Sequence, residues 1–268
     1  MKLRISHETV YRYGRPIRNL VQSLRLTPST FEGQKTHEWL IDVSGGIRGP
    51  GFRDGAGDWI EGWTVRGPAE EVTVRITGRV DTRDTAGVVR GHREAIHPMV
   101  YLRDSDATKA DDALLDLAGQ ATGTDSLDLA HKLSHLIGDR IAFRPGVTRS
   151  GTTAAEALAL GEGVCQDHTH ALISLARARG LPARYVSGYL HSTIDGKAQD
   201  AAHAWAEIHV GQLGWVGFDA ANGCCPDERY VRLGSGADAA DAAPIKGVAL
   251  GTGAEELDVR VQVEEMAQ

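Results

Sequence analysis

Three thiols occur in 268 residues, and their settings differ in kind. Cys224 and Cys225 are neighbours in a turn-rich stretch, whereas Cys165 follows Gly161-Glu162-Gly163-Val164 and opens a segment with helical spacing. In that segment Leu172, Leu175 and Ala176 form an apolar stripe, and Arg177, Arg179, Gly180 and Pro182 follow in the order of a helix C-terminus, so a helix is predicted over 165–179. A thiol at a helix N-terminus faces unsatisfied N–H groups and the positive end of the macrodipole. Such a setting lowers a cysteine pKa from about 8.5 to roughly 3.5–7.5. The chemistry this opens is nucleophilic attack on an acyl carbon; the competing reading is an inert, packed thiol.

A nucleophile of this kind needs a base. The segment HAWAEIHVGQLGWVGFDAANG reads as two strands joined by a turn near residues 211–213. With the turn centred on Gly211, His203 faces Asp219 across the hairpin, at a Cβ separation of about 4.5–5.5 Å. The same register gathers Ala204, Ala206, Ile208, Val210, Val216 and Phe218 on one face as core, and His203, Trp205, Glu207, Trp215 and Asp219 on the other as a site. A slip of one residue would separate His203 from Asp219. Cys165, His203 and Asp219 then supply a nucleophile, a general base and an orienting carboxylate, with the Cys165 backbone N–H as one oxyanion donor. Trp205, beside His203, and His168, one turn into the helix, are the expected substrate-binding residues.

A metal site is the rival chemistry, since Cys165, His168, His170, His203, Cys224 and Cys225 are all possible ligands. Among these six residues the paired spacings usual in zinc sites, C-x2-4-C and H-x3-5-H, are absent, so no metal or other cofactor is expected. Asp167 is read as stabilising the positive helix end, and Cys224 and Cys225 as incidental loop thiols.

From Leu3 to about Thr82 the chain alternates apolar and polar residues in short runs broken by Pro16, Pro28, Gly45-Gly46, Pro50-Gly51 and Gly55 to Gly57. This pattern predicts an antiparallel β-sandwich of about six strands, with Trp39, Trp59 and Trp63 packed inward. The polar stretch from Asp81 to Pro98 marks a boundary near residue 88, giving a β-rich domain 1–87 and a second domain 88–268. Helical spacing follows over 106–121, over 126–137 behind Asp125 or Ser126 as N-cap, and over 153–160. Strands are expected over 183–190, 203–210 and 215–220, then an Ala/Gly-rich loop over 239–253 and a closing strand at Leu257 to Val263. Helices before strands indicate an α+β domain with helices packed on an antiparallel sheet.

Taken together, Gly161-Glu162-Gly163-Val164-Cys165, His203-Ala204-Trp205 and Gly214-Trp215-Val216-Gly217-Phe218-Asp219 resemble the transglutaminase-like superfamily. The linking stretch Cys165 to Leu190 and the run Asn222-Gly223 through Arg232 are similar to its bacterial branch. Ile5-Ser6-His7-Glu8-Thr9-Val10-Tyr11-Arg12-Tyr13, with SLRLTP after it, resembles the β-rich N-terminal region that accompanies that branch. The resemblance implies a papain-like fold, the triad Cys165, His203 and Asp219, and a thioester acyl-enzyme. Two departures stand out: DAANG where many relatives read DPTNG, and no acidic cluster with calcium-loop spacing.

The composition agrees with an ordinary soluble globular protein. Apolar residues make up 41% and charged residues 24%, and 36 acidic against 29 basic residues give a net charge of -7, which argues against nucleic acid as a partner. No signal peptide and no run of 18 apolar residues is visible, so membrane partners are not expected and the cytoplasm is the default address. The expected activity is cleavage of amide bonds in a peptide, protein or small amide. Transamidation to an amine and a binding protein built on the same frame are the alternatives.

Overall fold

In the computed structural model, which describes residues 1–194, 197–198, 202–251 and 253–266, two long strands organise the N-terminal sheet. These are β1 (Lys2–Leu24) and β4 (Trp59–Thr82), antiparallel along almost their whole length. β2 (Gln34–Val43) and β3 (Gly46–Arg53) pair with the two halves of the far edge of β4. The six apolar runs of the sequence thus become four strands, because β1 continues past Gly14-Arg15-Pro16 through register shifts between Arg12 and Asn19. Such bulges accommodate proline and exchange the side chains that face inward. Leu3 and Ile5 are buried before the shift and Leu20 and Leu24 after it; Trp63 and Val65 give way likewise to Val72, Val74 and Ile76 in β4. Both halves of each strand pack into one core cluster. Trp63 lies within it, while Trp39 packs at its margin and donates Nε1–H to the Leu26 carbonyl at 3.0 Å.

Among the described residues four α-helices follow: α1 (Asp112–Gln120), α2 (Ser126–Arg140), α3 (Ala154–Leu160) and α4 (Cys165–Ala178). α1 starts later than its periodicity suggests, because Asp111 accepts from the Leu114 N–H and caps it there. Asp125 caps α2 as expected, and Thr153 with Glu156 forms a capping box on α3. The two-residue strands β5 (Ala142–Phe143) and β6 (Glu162–Gly163) bring the end of α2 beside the start of α4. The second main sheet is antiparallel, in the order β11 (Gly214–Phe218), β10 (Ala202–Val210), β7 (Ala183–Leu190), β12 (Tyr230–Gly236). A small hairpin joins β8 (Thr193–Ile194) to β9 (Lys197–Ala198). Leu172, Ile173 and Leu175 of α4 pack on Ala204, Ala206, Ile208, Val216 and Phe218, so the apolar face of the hairpin is core as its alternation requires. The molecule is an α+β protein with helices packed on antiparallel sheets.

The chain then returns to the first sheet. β13 (Ile245–Leu250) and β14 (Glu255–Glu265) both pair with the free edge of β1, Leu3 opposite Glu265 and Leu24 opposite Ile245. The closing strand therefore completes the N-terminal sheet, and a strand lies inside the expected 239–253 loop, of which Thr252 is outside the described residues. The low strand propensity of Lys246-Gly247-Val248-Ala249-Leu250 hides this strand, which forms because the edge of β1 offers a partner.

A buried ion network fastens the two sheets. Glu207 of β10 meets Arg184 of β7 at 2.7 Å and Arg232 of β12 at 2.8 Å. Arg232 also meets Asp58, which precedes β4, at 2.8 Å, and Arg184 meets Glu94 at 2.5 Å. Gln34 of β2 accepts from the Arg232 N–H and donates to its carbonyl. Glu207 and Trp215, expected on a site-forming face, are buried in or against this network, with Arg184 lying 4.0 Å over the Trp215 ring. Among the described residues no helix is long and apolar enough to cross a membrane.

Candidate active site

The two glycines before Cys165 have separate tasks. Gly161 ends α3 in the left-handed region at φ 70, and a Cβ on Gly163 would lie 2.7 Å from the Asp167 side chain. Asp167 uses that space: its Oδ2 accepts from the Val164 N–H at 2.8 Å and from the Thr148 hydroxyl at 2.6 Å, capping α4. Cys165 is thereby the first residue of a helix whose body is buried from Asp167 to Arg177. Its thiol is half-buried and borders a cleft.

β10 and β11 are joined by a 3-10 turn at Gly211–Leu213, and the ladder pairs Ala206 with Phe218 and Ile208 with Val216. This register is two residues from the expected one, so Asp219 sits diagonally to His203 rather than opposite it. A shift of two preserves the face, and the diagonal is within side-chain reach. The contact forms: His203 Nε2 lies 2.6 Å from Asp219 Oδ2.

Asp219 is buried and richly bonded. Besides His203, its Oδ2 accepts from Asn222 Nδ2–H at 2.7 Å and Tyr230 Oη–H at 2.8 Å, while Oδ1 accepts from the Asn222 backbone N–H at 3.1 Å. Burial pushes the carboxyl pKa up, but these bonds and the neighbouring imidazole outweigh it and hold the group below its ordinary value. Burial likewise disfavours a charged His203, yet hydrogen bonds to Asp219 and Cys165 win and raise its pKa to about 9. With Nε2 committed to Asp219, Nδ1 is the ring atom left for the thiol.

Trp205 and His168 do not line the cleft. Trp205 is 3% exposed, stacks against His203 with centroids 6.4 Å apart and meets Tyr230 edge-on, so it backs the imidazole instead of touching substrate. His168 is 2% exposed, and both ring nitrogens are used on backbone carbonyls, Nδ1 on Val164 at 2.9 Å and Nε2 on Ile141 at 2.7 Å. Its place three residues after Cys165 turns it toward the end of α2. Both His168 nitrogens are thus engaged, and among the described residues no group of three or more His, Cys, Asp or Glu side chains is arranged to hold a metal ion. Cys224 and Cys225 lie outside the cleft; burial raises both thiol pKa values, that of Cys225 to about 11.

Sequence reasoning overlooked three groups. Asn222 and Tyr230 support Asp219; Asn222 stands within DAANG and Tyr230 in the stretch after it, and a polar residue three positions past the aspartate was the available signal. The third is the far wall of the cleft. It has a volume of about 460 Å³ and borders Cys165 and His203 on one side; on the other it is lined by His7, Thr9 and Tyr11 of β1 and Leu257 and Val259 of β14.

Comparison with known proteins agrees with this architecture. Residues 116–220 match the model of the transglutaminase-like superfamily, and residues 3–81 match the bacterial transglutaminase-like N-terminal region. An uncharacterised protein of Mycobacterium tuberculosis is 30% identical over 274 residues, covering 92% of this chain and 87% of its own. The chain belongs to the transglutaminase-like superfamily. An uncharacterised protein of Mycobacterium leprae is 28% identical over 99% of both chains. The crystal structure of a "putative cysteine protease" from Cytophaga hutchinsonii superposes on this member of the superfamily with a TM-score of 0.75 at 22% identity, covering all of this chain and 91% of that one. That likeness carries the fold.

Proposed function

We propose that this protein is a cysteine-nucleophile enzyme that cleaves amide bonds of peptides or related amides through a thioester acyl-enzyme. The observation that carries the reading is the His203 ring, held between the buried carboxylate of Asp219 and the thiol of Cys165 at the edge of an open cleft. His203 takes the thiol proton as the Cys165 sulfur attacks the amide carbonyl. The oxyanion forms beside the Cys165 backbone N–H at the start of α4, where an anion is favoured. Collapse breaks the C–N bond, and the amine leaves with the proton from His203. Water entering the cleft then gives its proton to His203, adds to the thioester, and releases the carboxylic acid product with the thiol restored. Asp219 fixes the tautomer that presents Nδ1 to the sulfur and stabilises the imidazolium.

The test is alkylation by iodoacetamide from pH 5 to 9, read by intact mass and peptide mapping. Cys165 is expected to label selectively and fast well below pH 8, since the raised pKa values of Cys224 and Cys225 keep those thiols slow. His203→Ala is expected to abolish that advantage. Labelling of Cys165 at the rate of an ordinary thiol, with or without His203, refutes the nucleophile assignment. For the activated protein, product analysis on amide libraries with and without added amine separates hydrolysis from transamidation.

A further inference from the structure

The N-terminal motif Ile5 to Tyr13 has no part in the proposed chemistry, yet its alternate residues His7, Thr9 and Tyr11 face the cleft at Cys165. Side chains two apart on a strand share a face, so the spacing of the motif is the spacing of a wall. β14 lies beside β1 with Val259 opposite Thr9 and Leu257 opposite Tyr11, extending the wall with two apolar side chains that are 43% and 57% exposed. The lining also includes Tyr185, Tyr189 and Leu233. Among the described residues the cleft is lined by no Lys, Arg, Asp or Glu, and its volume of about 460 Å³ suits a bulky group.

We infer that the β1–β14 wall is the acyl-side specificity pocket of the Cys165 site, and that it selects donors carrying an uncharged aromatic or branched apolar group next to the scissile carbonyl. The inference rests on the function proposed above and names its substrate class. The polar atoms in the wall serve one another: His7 Nδ1 lies 2.7 Å from the Tyr189 hydroxyl and its Nε2 lies 2.8 Å from the Thr9 hydroxyl. Burial lowers the His7 pKa to about 4 and, with Glu255 nearby, raises that of Tyr11 to about 12, so both are neutral at physiological pH. A charged substrate group entering here would lose water and find no counter-charge, whereas an apolar group gains by burial.

The experiment compares three alkylating agents on Cys165 at pH 6.5: N-benzyl-iodoacetamide, iodoacetamide and iodoacetate, each rate normalised to its rate with glutathione. In the unmodified protein the benzyl reagent is expected to react about tenfold or more faster than iodoacetamide, the gain from burying one aromatic ring, and iodoacetate slowest. Leu257→Lys, at an exposed position that tolerates the change, is expected to reduce the benzyl preference severalfold and raise the rate with iodoacetate relative to iodoacetamide. A merely misfolded variant would not gain reactivity toward the anion. Equal normalised rates for the benzyl and parent reagents, or ratios unmoved by Leu257→Lys, overturn the pocket assignment while His203-dependent labelling by iodoacetamide leaves the nucleophile standing. Loss of that dependence overturns both.

Discussion

Glu207→Gln removes one negative charge from between two buried guanidinium groups while keeping the side-chain shape. Glu207 is 1% exposed, with Arg184 Nε 2.7 Å from one carboxylate oxygen and Arg232 Nε 2.8 Å from the other. Burial raises the Glu207 pKa, but the two arginines outweigh it and bring it from 4.5 to about 2. At 1.36 kcal/mol per pKa unit that displacement is worth roughly 3 kcal/mol, within the range of about 3–5 kcal/mol for breaking a buried ion pair by removing one partner. The expected loss at pH 7 is therefore about 3 kcal/mol, a fall in Tm of about 6–12 °C for a chain of this size. The sign with pH follows from a depressed carboxyl pKa: the stabilisation is complete above pH 4.5 and disappears as pH falls toward 2. Urea unfolding of both proteins at intervals from pH 7 to pH 3 should show the gap narrowing toward the acid end. Equal stability at pH 7, or a gap independent of pH, would refute the view that this carboxylate stabilises the fold electrostatically through Arg184 and Arg232.

Other expectations concern the site. Asp219→Asn should leave the fold intact, lower turnover by orders of magnitude and move the His203 titration, followed by NMR, down from about pH 9. Because the His203 pKa is raised, its contact with Asp219 contributes stability fully below pH 6.5 and loses it as pH rises through about 9, so the stability difference from His203→Ala should close in alkali. Tyr230→Phe deletes one bond to the Asp219 carboxylate, and a loss of about 1.5–3 kcal/mol in stability, together with a raised Asp219 pKa, should follow in unfolding and titration experiments. Trp205→Ala opens a cavity behind the imidazole and should cost about 3–5 kcal/mol of stability in addition to activity, measured against Trp205→Phe.

The residues brought together at the site were legible because their chemistry is written in short local strings. GEGVC encodes a helix start, and the two-residue period of HAWAEIH and GWVGF puts His203 and Asp219 on one face even though the strand register differs by two residues from the expected one. Partners distant in sequence were not legible. A glutamate alternating with apolar residues reads as solvent- or site-facing, and nothing local reveals that Arg184, Arg232 and Asp58 will bury it in a closed network. His168 and Trp205 were misplaced for a related reason: spacing locates a side chain on an element, but what lies across from it is set by the neighbouring elements. The same limit hid the return of β13 and β14, whose periodicity identifies a strand and leaves its partner open.

That return has a consequence for how the protein is made. β1 leaves the ribosome well before the strand that covers its outer edge from Leu3 to Tyr13 is translated. With about 240 residues between the partners and synthesis at roughly 5–20 residues per second, the edge waits on the order of ten to fifty seconds for β14. Over that interval the nascent chain presents a long strand with unpaired N–H and C=O groups, a template for other strands. Part of the wall of the cleft is also absent until β14 docks, so completion of the cleft and protection of that edge arrive in the same step.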